Sequence, residues 1–170
     1  MRHLVITIGC EYGAKGNAIG RKIAEDLNIK FYNRELVDEI IEEVGIPKEI
    51  MENCVIIGRS ADYILKDSDK INLLRAIIYA PDDVRIHNIM ESHNLTEKDA
   101  GILLLEKDKR YHKRHLALTG SNRGDRHNRN ILIDSSYLGT EGTADYIEEL
   151  VRRKFGSGEE GVYGTEKIRI

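Results

Sequence analysis

His3-Leu-Val-Ile-Thr-Ile-Gly9-Cys-Glu-Tyr-Gly13-Ala-Lys15-Gly16-Asn17 begins as an apolar, β-branched run, stops at a glycine, and continues as a short Gly-rich loop carrying one lysine. Beyond it Ile19, Ile23, Ala24 and Leu27 recur at three- and four-residue steps, the period of a helix. Strand, Gly-rich loop and helix in that order make a phosphate cradle. Loop N–H groups point inward, the helix N-terminus adds partial positive charge, and a lysine reaches the outer phosphates. The pattern points to a nucleotide and to phosphoryl transfer. Its bland alternative is an ordinary strand–turn–helix connection with an exposed lysine.

The match to G-x-x-x-x-G-K-[ST] is imperfect. Gly9 and Lys15 stand at the right separation, but Ala14 replaces the second glycine and Gly16 replaces the Ser/Thr. Alanine fits only if φ at 14 is negative or the loop is remodelled, because glycine alone takes positive φ freely. The hydroxyl that normally helps hold Mg²⁺ is missing at 16. Asn17 is the weaker polar substitute and the candidate metal ligand. Gly9, Gly13, Ala14, Lys15, Gly16 and Asn17 are therefore the expected phosphate-binding residues.

The remaining composition sets limits. At 170 residues one domain with a substantial core is expected, and 41% hydrophobic with 32% charged residues is the balance of a globular chain. A net charge of −3 supplies no field toward nucleic acid or membrane. No apolar run approaches bilayer length, and the first strand starts almost at Met1, so a cytoplasmic protein with no leader is expected. Cys10 and Cys54 fit a reducing compartment and no disulfide framework. Cys10, in the loop beside a helix N-terminus, stands where a thiol pKa can fall.

Periodicity gives strands at about 3–8, 29–32, 54–57, 73–80 and 131–133. It gives helices at about 16–27, 34–44 behind an Asn33 cap, 47–52, 81–90, 97–118 and 140–155, with a turn or short helix at 61–66. Thr96-Glu-Lys-Asp99 is a capping pattern, Gly120 a stop, and Thr140 the cap of the last helix. Residues 156–170 read as a tail, with 163–170 able to add an edge strand. Alternating strands and helices imply a three-layer α/β sandwich around a parallel five-stranded sheet, with ligands at the C-terminal strand ends.

Residues just after those ends include Arg34 and Glu35, Arg59 and Asp62, Asp82 and Arg85, and Asp134. Arg59, directly after a buried strand and Gly58, can set its fork on a phosphate; the alternative is a buried ion pair with Asp62 or Glu35. Asp134 is either a site residue or a cap. Lys107 to Arg129 holds eight basic side chains against Asp108 and Asp125, with histidines interleaved. A basic helix and polar loop beside a phosphate cradle suit a helical lid over about 106–130, with Arg110 and Arg114, one turn apart, as its arginines. A solvated helix face is the competing reading.

Several blocks together resemble the cytidylate kinase-like family, a nucleoside monophosphate kinase branch of the P-loop NTPases. They are Ile6-Thr-Ile-Gly-Cys-Glu-Tyr-Gly13 with Ala18-Ile-Gly-Arg-Lys-Ile-Ala24, and Phe31-Tyr-Asn-Arg-Glu-Leu36. Cys54-Val-Ile-Ile-Gly-Arg-Ser-Ala-Asp-Tyr-Ile-Leu65 is the most diagnostic; Ile78-Tyr-Ala-Pro81 with Arg85, Asp108-Lys-Arg110 with Tyr111, and Ile133-Asp-Ser-Ser136 with Leu138-Gly139 complete the set. The resemblance implies a P-loop kinase-like domain over 1–155, with an acceptor-binding region at about 33–52. It implies ATP and Mg²⁺ at residues 9–17, Lys15 bridging to the transferred group, and Arg34, Glu35, Arg59 and Asp62 at the acceptor nucleotide. Arg110 and Arg114 would come from the lid, and CMP or dCMP would lead among acceptors. Two departures stand out: Ile57 is apolar where an acid often precedes Gly-Arg, and the stretch from Gly45 to Cys54 is short where relatives carry a helical cover. The alternatives are a nucleotide-binding protein without turnover, a kinase for another small acceptor, and a nucleic-acid module using 107–129, which the overall acidity opposes.

Overall fold

The computed structural model describes residues 2–35, 52–58 and 60–156. Its central strand, β1 (His3–Cys10), alternates cleanly: Leu4, Ile6 and Ile8 belong to one buried cluster and Val5 to another on the opposite face. Residues buried on both faces make this a core strand of a parallel sheet. β3 (Cys54–Ile57) and β4 (Ile71–Tyr79) flank it, and β2 (Lys30–Tyr32) and β5 (Ile131–Asp134) close the edges in the order β2-β3-β1-β4-β5. Every pairing is parallel. The chain reverses direction across the sheet at β1, so the crevice lies at the C-terminal ends of β1, β3 and β4.

The helices supply the outer layers. α1 (Gly16–Asp26) and α5 (Ser135–Phe155) lay Ile19, Ile23, Ala144, Ile147 and Val151 on the face carrying Leu4, Ile6 and Ile8. The opposite face packs Val5, Cys54 and Ile56 against Ala61 and Leu65 from the short α2 (Ala61–Ile64) and its end. α3 (Asp82–His93) and α4 (Glu97–Thr119) form a hairpin with its own cluster, Ile89, Ala100 and Leu104, and Tyr12 of the phosphate loop packs into it. Each fully buried isoleucine contributes about 1.5–3 kcal/mol by leaving water. Burial therefore fixes the loop between β1 and α1 from beneath and from one side.

The local signals hold where they are strong. Thr96 caps α4, its Oγ1 accepting from the Asp99 N–H at 3.2 Å, and Gly120 ends the helix at φ 70°. Several boundaries differ, two of them beside the site. β1 runs past Ile8 through Gly9 and Cys10, because these pair with Ile77 and Ile78 of the longer β4. α5 starts at Ser135, not at Thr140: Asp134 accepts from the Ser136 N–H at 2.8 Å and caps a first turn, which Gly139 (φ 70°, ψ −176°) breaks before the main helix. Asp134 is thus a cap. The expected helices over 36–44 and 47–51, Arg59, and the tail from 157 lie outside the described residues.

Candidate functional site

The loop from Glu11 to Lys15 turns β1 into α1 through two backbone bonds. Glu11 N–H donates to the Ile78 carbonyl at 3.0 Å and Ala14 N–H to the Glu11 carbonyl at 3.1 Å, closing the turn. Positive φ falls on Gly13 (83°) and Lys15 (60°), and Ala14 avoids it. That is how alanine fits the place of a glycine. Ala14 is buried, and its carbonyl accepts from Ser135 Oγ at 2.8 Å. The first bond inside α1 is Ile19 N–H to the Lys15 carbonyl at 3.0 Å. The N–H groups of Gly16, Asn17 and Ala18 precede it and have no partner within the helix. They stand at the positive end of the helix dipole, beside exposed Lys15.

Two glycines of the loop are there for space. A Cβ at Gly13 would meet the Arg85 carbonyl oxygen at 2.8 Å, and one at Gly16 would sit 2.3 Å from Cys10 Cβ. The hydroxyl-bearing residue usual after the lysine is therefore excluded by Cys10. Cys10 itself is buried, and burial pushes its thiol pKa up, against the pull of Arg34 and Arg123. The helix N-terminus that could have lowered this pKa does not prevail, because desolvation dominates.

Two clefts open at the strand ends. The larger, about 360 Å³, is lined by Gly13, Lys15, Gly16 and Asn17 from the loop side and by Asn88, Ile89 and His93 from α3, with Arg34 and Glu35 at its edge. Its size suits a small organic ligand. The smaller, about 40 Å³, holds a few water-sized groups and no base. Arg34, Arg114, Arg123, Arg129 and His115 line it, with Asp62 the acidic member, and Gly9 and Gly58 form the floor. Arg129 Nη1 lies 2.5 Å from Asp62 Oδ2, both nearly buried. His115 Nδ1 meets Ser60 Oγ at 2.8 Å, and burial lowers the imidazole pKa, only partly countered by Asp62. Arg123 Nη2 donates to the Cys10 carbonyl, which carries the loop after α4 onto the phosphate loop. A nest of amides with one lysine, beside a small cavity walled by guanidiniums, is an arrangement for aligning and neutralising phosphates.

A model of the cytidylate kinase-like family matches residues 5–53 and 48–137. The chain belongs to that family. The two matched stretches meet at 48–53, inside the segment that the sequence marks as short. A cytidylate kinase from Thermococcus sibiricus is 25% identical over 160 residues, covering 88% of this chain and 81% of its own. A crystal structure of an uncharacterized protein from Eubacterium ventriosum superposes with a TM-score of 0.79 at 28% identity, over 87% of this chain and 98% of that one. The family and the sheet order make this a P-loop kinase-like fold with a helical segment over the strand ends.

Within this cytidylate kinase-like chain the expected residues fall into three groups. Gly13, Lys15, Gly16 and Asn17 line the larger cleft; Gly9, Asp62 and Arg114 line the smaller; Arg34 lines both. Glu35 is exposed at the rim of the larger one. Arg110 is exposed on α4, away from both walls, and Asp62 is committed to Arg129. Arg59 lies outside the described residues. Arg85, grouped by sequence with the crevice, is instead buried, with Asp108 at 2.8 Å, Asp82 at 2.7 Å and Glu11 at 3.5 Å. Arg123, Arg129, Tyr111 and His115 also line the smaller cleft, though the sequence placed them only in the basic stretch or the family blocks and gave them no site role. The two arginines bracket the polar loop inside the basic stretch, which was the available signal. Among the described residues the carboxylates close enough to share an ion are Asp26, Asp145 and Glu148, at the end of α1 opposite Lys15.

Proposed function

We propose that the protein transfers a phosphoryl group from ATP to a small acceptor, with CMP or dCMP the leading candidate. The observation that carries the reading is the pairing of a helix N-terminus that has Lys15 at its N-cap position and no side-chain cap bond with a guanidinium-walled cavity sized for an oxyanion. ATP phosphates would lie on the amides of 16–18 with Lys15 along them, and the base in the larger cleft. The transferred group would pass beneath Arg34, Arg114 and Arg123. Arg59, Asp62, Arg34 and Glu35 remain the proposed acceptor side. Transfer of this kind asks for alignment and charge neutralisation and little covalent help.

A magnesium ion fits the site only as a passenger on the phosphates. Asn17 offers an amide oxygen on the cleft wall, while Glu11, the nearest loop acid, is held by the Ala80 N–H at 3.3 Å and by Arg85. When bound, the ion would supply further neutralisation of phosphate charge. Incubation with ATP, Mg²⁺ and a panel of nucleoside monophosphates tests the reading: ADP released with CMP or dCMP above all others is expected. ATP consumed with a different acceptor would move the specificity and keep the chemistry.

One observation favours a second reading. Cys10 against Gly16 leaves no room for the metal-binding hydroxyl, and Ile57 gives no acid at the end of β3. A protein that binds the nucleotide without turning it over would show tight ATP binding and no transfer to any acceptor in the panel.

A further inference from the structure

We propose that Tyr111 is a positioning residue that assembles Arg34 and Arg123 into one anion-binding pair before any phosphate arrives; this rests on the phosphoryl-transfer reading of the small cleft. The two arginines come from distant parts of the chain, one after β2 and the other from the loop after α4. Both guanidiniums lie on the same phenol ring, at 4.2 Å and 5.2 Å from its centroid, and the hydroxyl accepts a further bond from Arg34 Nη1. Both also line the small cleft, and Arg123 reaches the Cys10 carbonyl at the mouth of the phosphate loop.

Two like charges brought to one wall repel each other: burial is what chiefly lowers the pKa of Arg123, and Arg34 adds to it. The negative face of an aromatic ring offsets part of that cost for each cation. The ring is itself held to the loop: Tyr12 meets it edge-on at 6.3 Å, and Tyr12 is stacked on His93, whose Nε2 lies 2.9 Å from its hydroxyl. Tyr111 thus ties both guanidiniums to each other and to the loop. Donors set in advance need no rearrangement when charge arrives. A tyrosine serving only to pack α4 would have no reason to carry both cations.

The test uses the full chain and inorganic tripolyphosphate as the probe, followed by calorimetry, with melting curves to check folding. Tyr111→Phe keeps the ring and loses the Arg34 bond, so binding should weaken about threefold. Tyr111→Leu loses both and should weaken it about tenfold. Arg123→Met added to Tyr111→Leu should cost much less than it does in the wild type, because the ring that placed Arg123 is already gone. Unchanged binding in Tyr111→Leu, or fully multiplicative losses in the double variant, would overturn the proposal. If Tyr111→Leu does not fold, Tyr111→Phe with and without Arg34→Met decides: independent effects refute the link. Should the wild type not bind tripolyphosphate, or bind it equally well after Lys15→Ala, the phosphate-loop reading has failed and takes this inference with it. Failure at Tyr111 alone leaves that reading standing.

Discussion

Gly16→Ala puts the tightest contact of the phosphate loop to the test. The added Cβ would lie 2.3 Å from Cys10 Cβ and 2.7 Å from Cys10 Sγ, and the nearer atom is fixed to the backbone of β1. No rotamer relieves it, so the first turn of α1 or the end of β1 must shift. Overpacking of that kind costs about 1–3 kcal/mol. Replacing glycine by alanine at a helix end returns a fraction of about 1 kcal/mol, leaving a net loss of roughly 2 kcal/mol. For a chain of this size that lowers Tm by about 4–8 °C. Cys10→Gly removes both clashing atoms and leaves Cys10 Cα, at 3.8 Å, as the nearest neighbour. Urea unfolding of the wild type, each single variant and the double variant should therefore give a favourable coupling of about 2 kcal/mol. Additive costs, or a Gly16→Ala protein as stable as the wild type, would refute the claim that Cys10 dictates glycine at 16. With the space opened, Gly16→Ser in the Cys10→Gly background should lower the Mg²⁺ concentration needed for half-maximal turnover.

Lys15→Ala should cut phosphoryl transfer by about 100-fold or more while moving stability by less than about 0.5 kcal/mol, as steady-state rates and melting curves will report. Arg129→Met strands Asp62 in a buried site and should cost about 3–5 kcal/mol in urea unfolding. Adding Asp62→Asn should return much of it, and a double variant no better than Arg129→Met would mean the pair is not the cause. His115 has a pKa lowered below 6.5 by burial, so the unfolded chain protonates first as pH falls. Its contribution to stability is complete above pH 6.5 and is lost as pH drops from there toward the folded value. Wild-type stability should therefore fall more steeply between about pH 7 and 5 than that of His115→Asn. Equal slopes would show the imidazole to be unperturbed.

What could be read from the sequence was what neighbours in the chain decide. β1, its loop and α1 were legible because burial on both faces, loop glycines and helical period sit side by side, and the Thr96 cap and Gly120 stop are equally local. Asp134 stayed open between cap and site residue because the four-residue turn from Ser135 to Leu138 is too short to show a period. The two lid arginines needed the packing as well as the spacing. Arg110 and Arg114 share a helix face and are both exposed, and Arg114 alone of the two lines the small cleft. Arg129 finds Asp62, and Arg123 finds Cys10, across the fold, where no spacing rule reaches.

Arg85 sets the terms on which the basic segment can move. One guanidinium holds Asp108 of α4, Asp82 of α3 and the Tyr12 carbonyl of the phosphate loop, at 2.8, 2.7 and 3.3 Å. The same residue's backbone oxygen stands where a side chain at position 13 would go. Any swing of α4 across the strand ends must therefore pivot on this rivet or tear it out of a nearly dry socket. The hairpin and the loop beneath it will travel together, and the stretch beyond Tyr111 is tied down separately, by His115 to Ser60, Arg123 to the Cys10 carbonyl and Arg129 to Asp62.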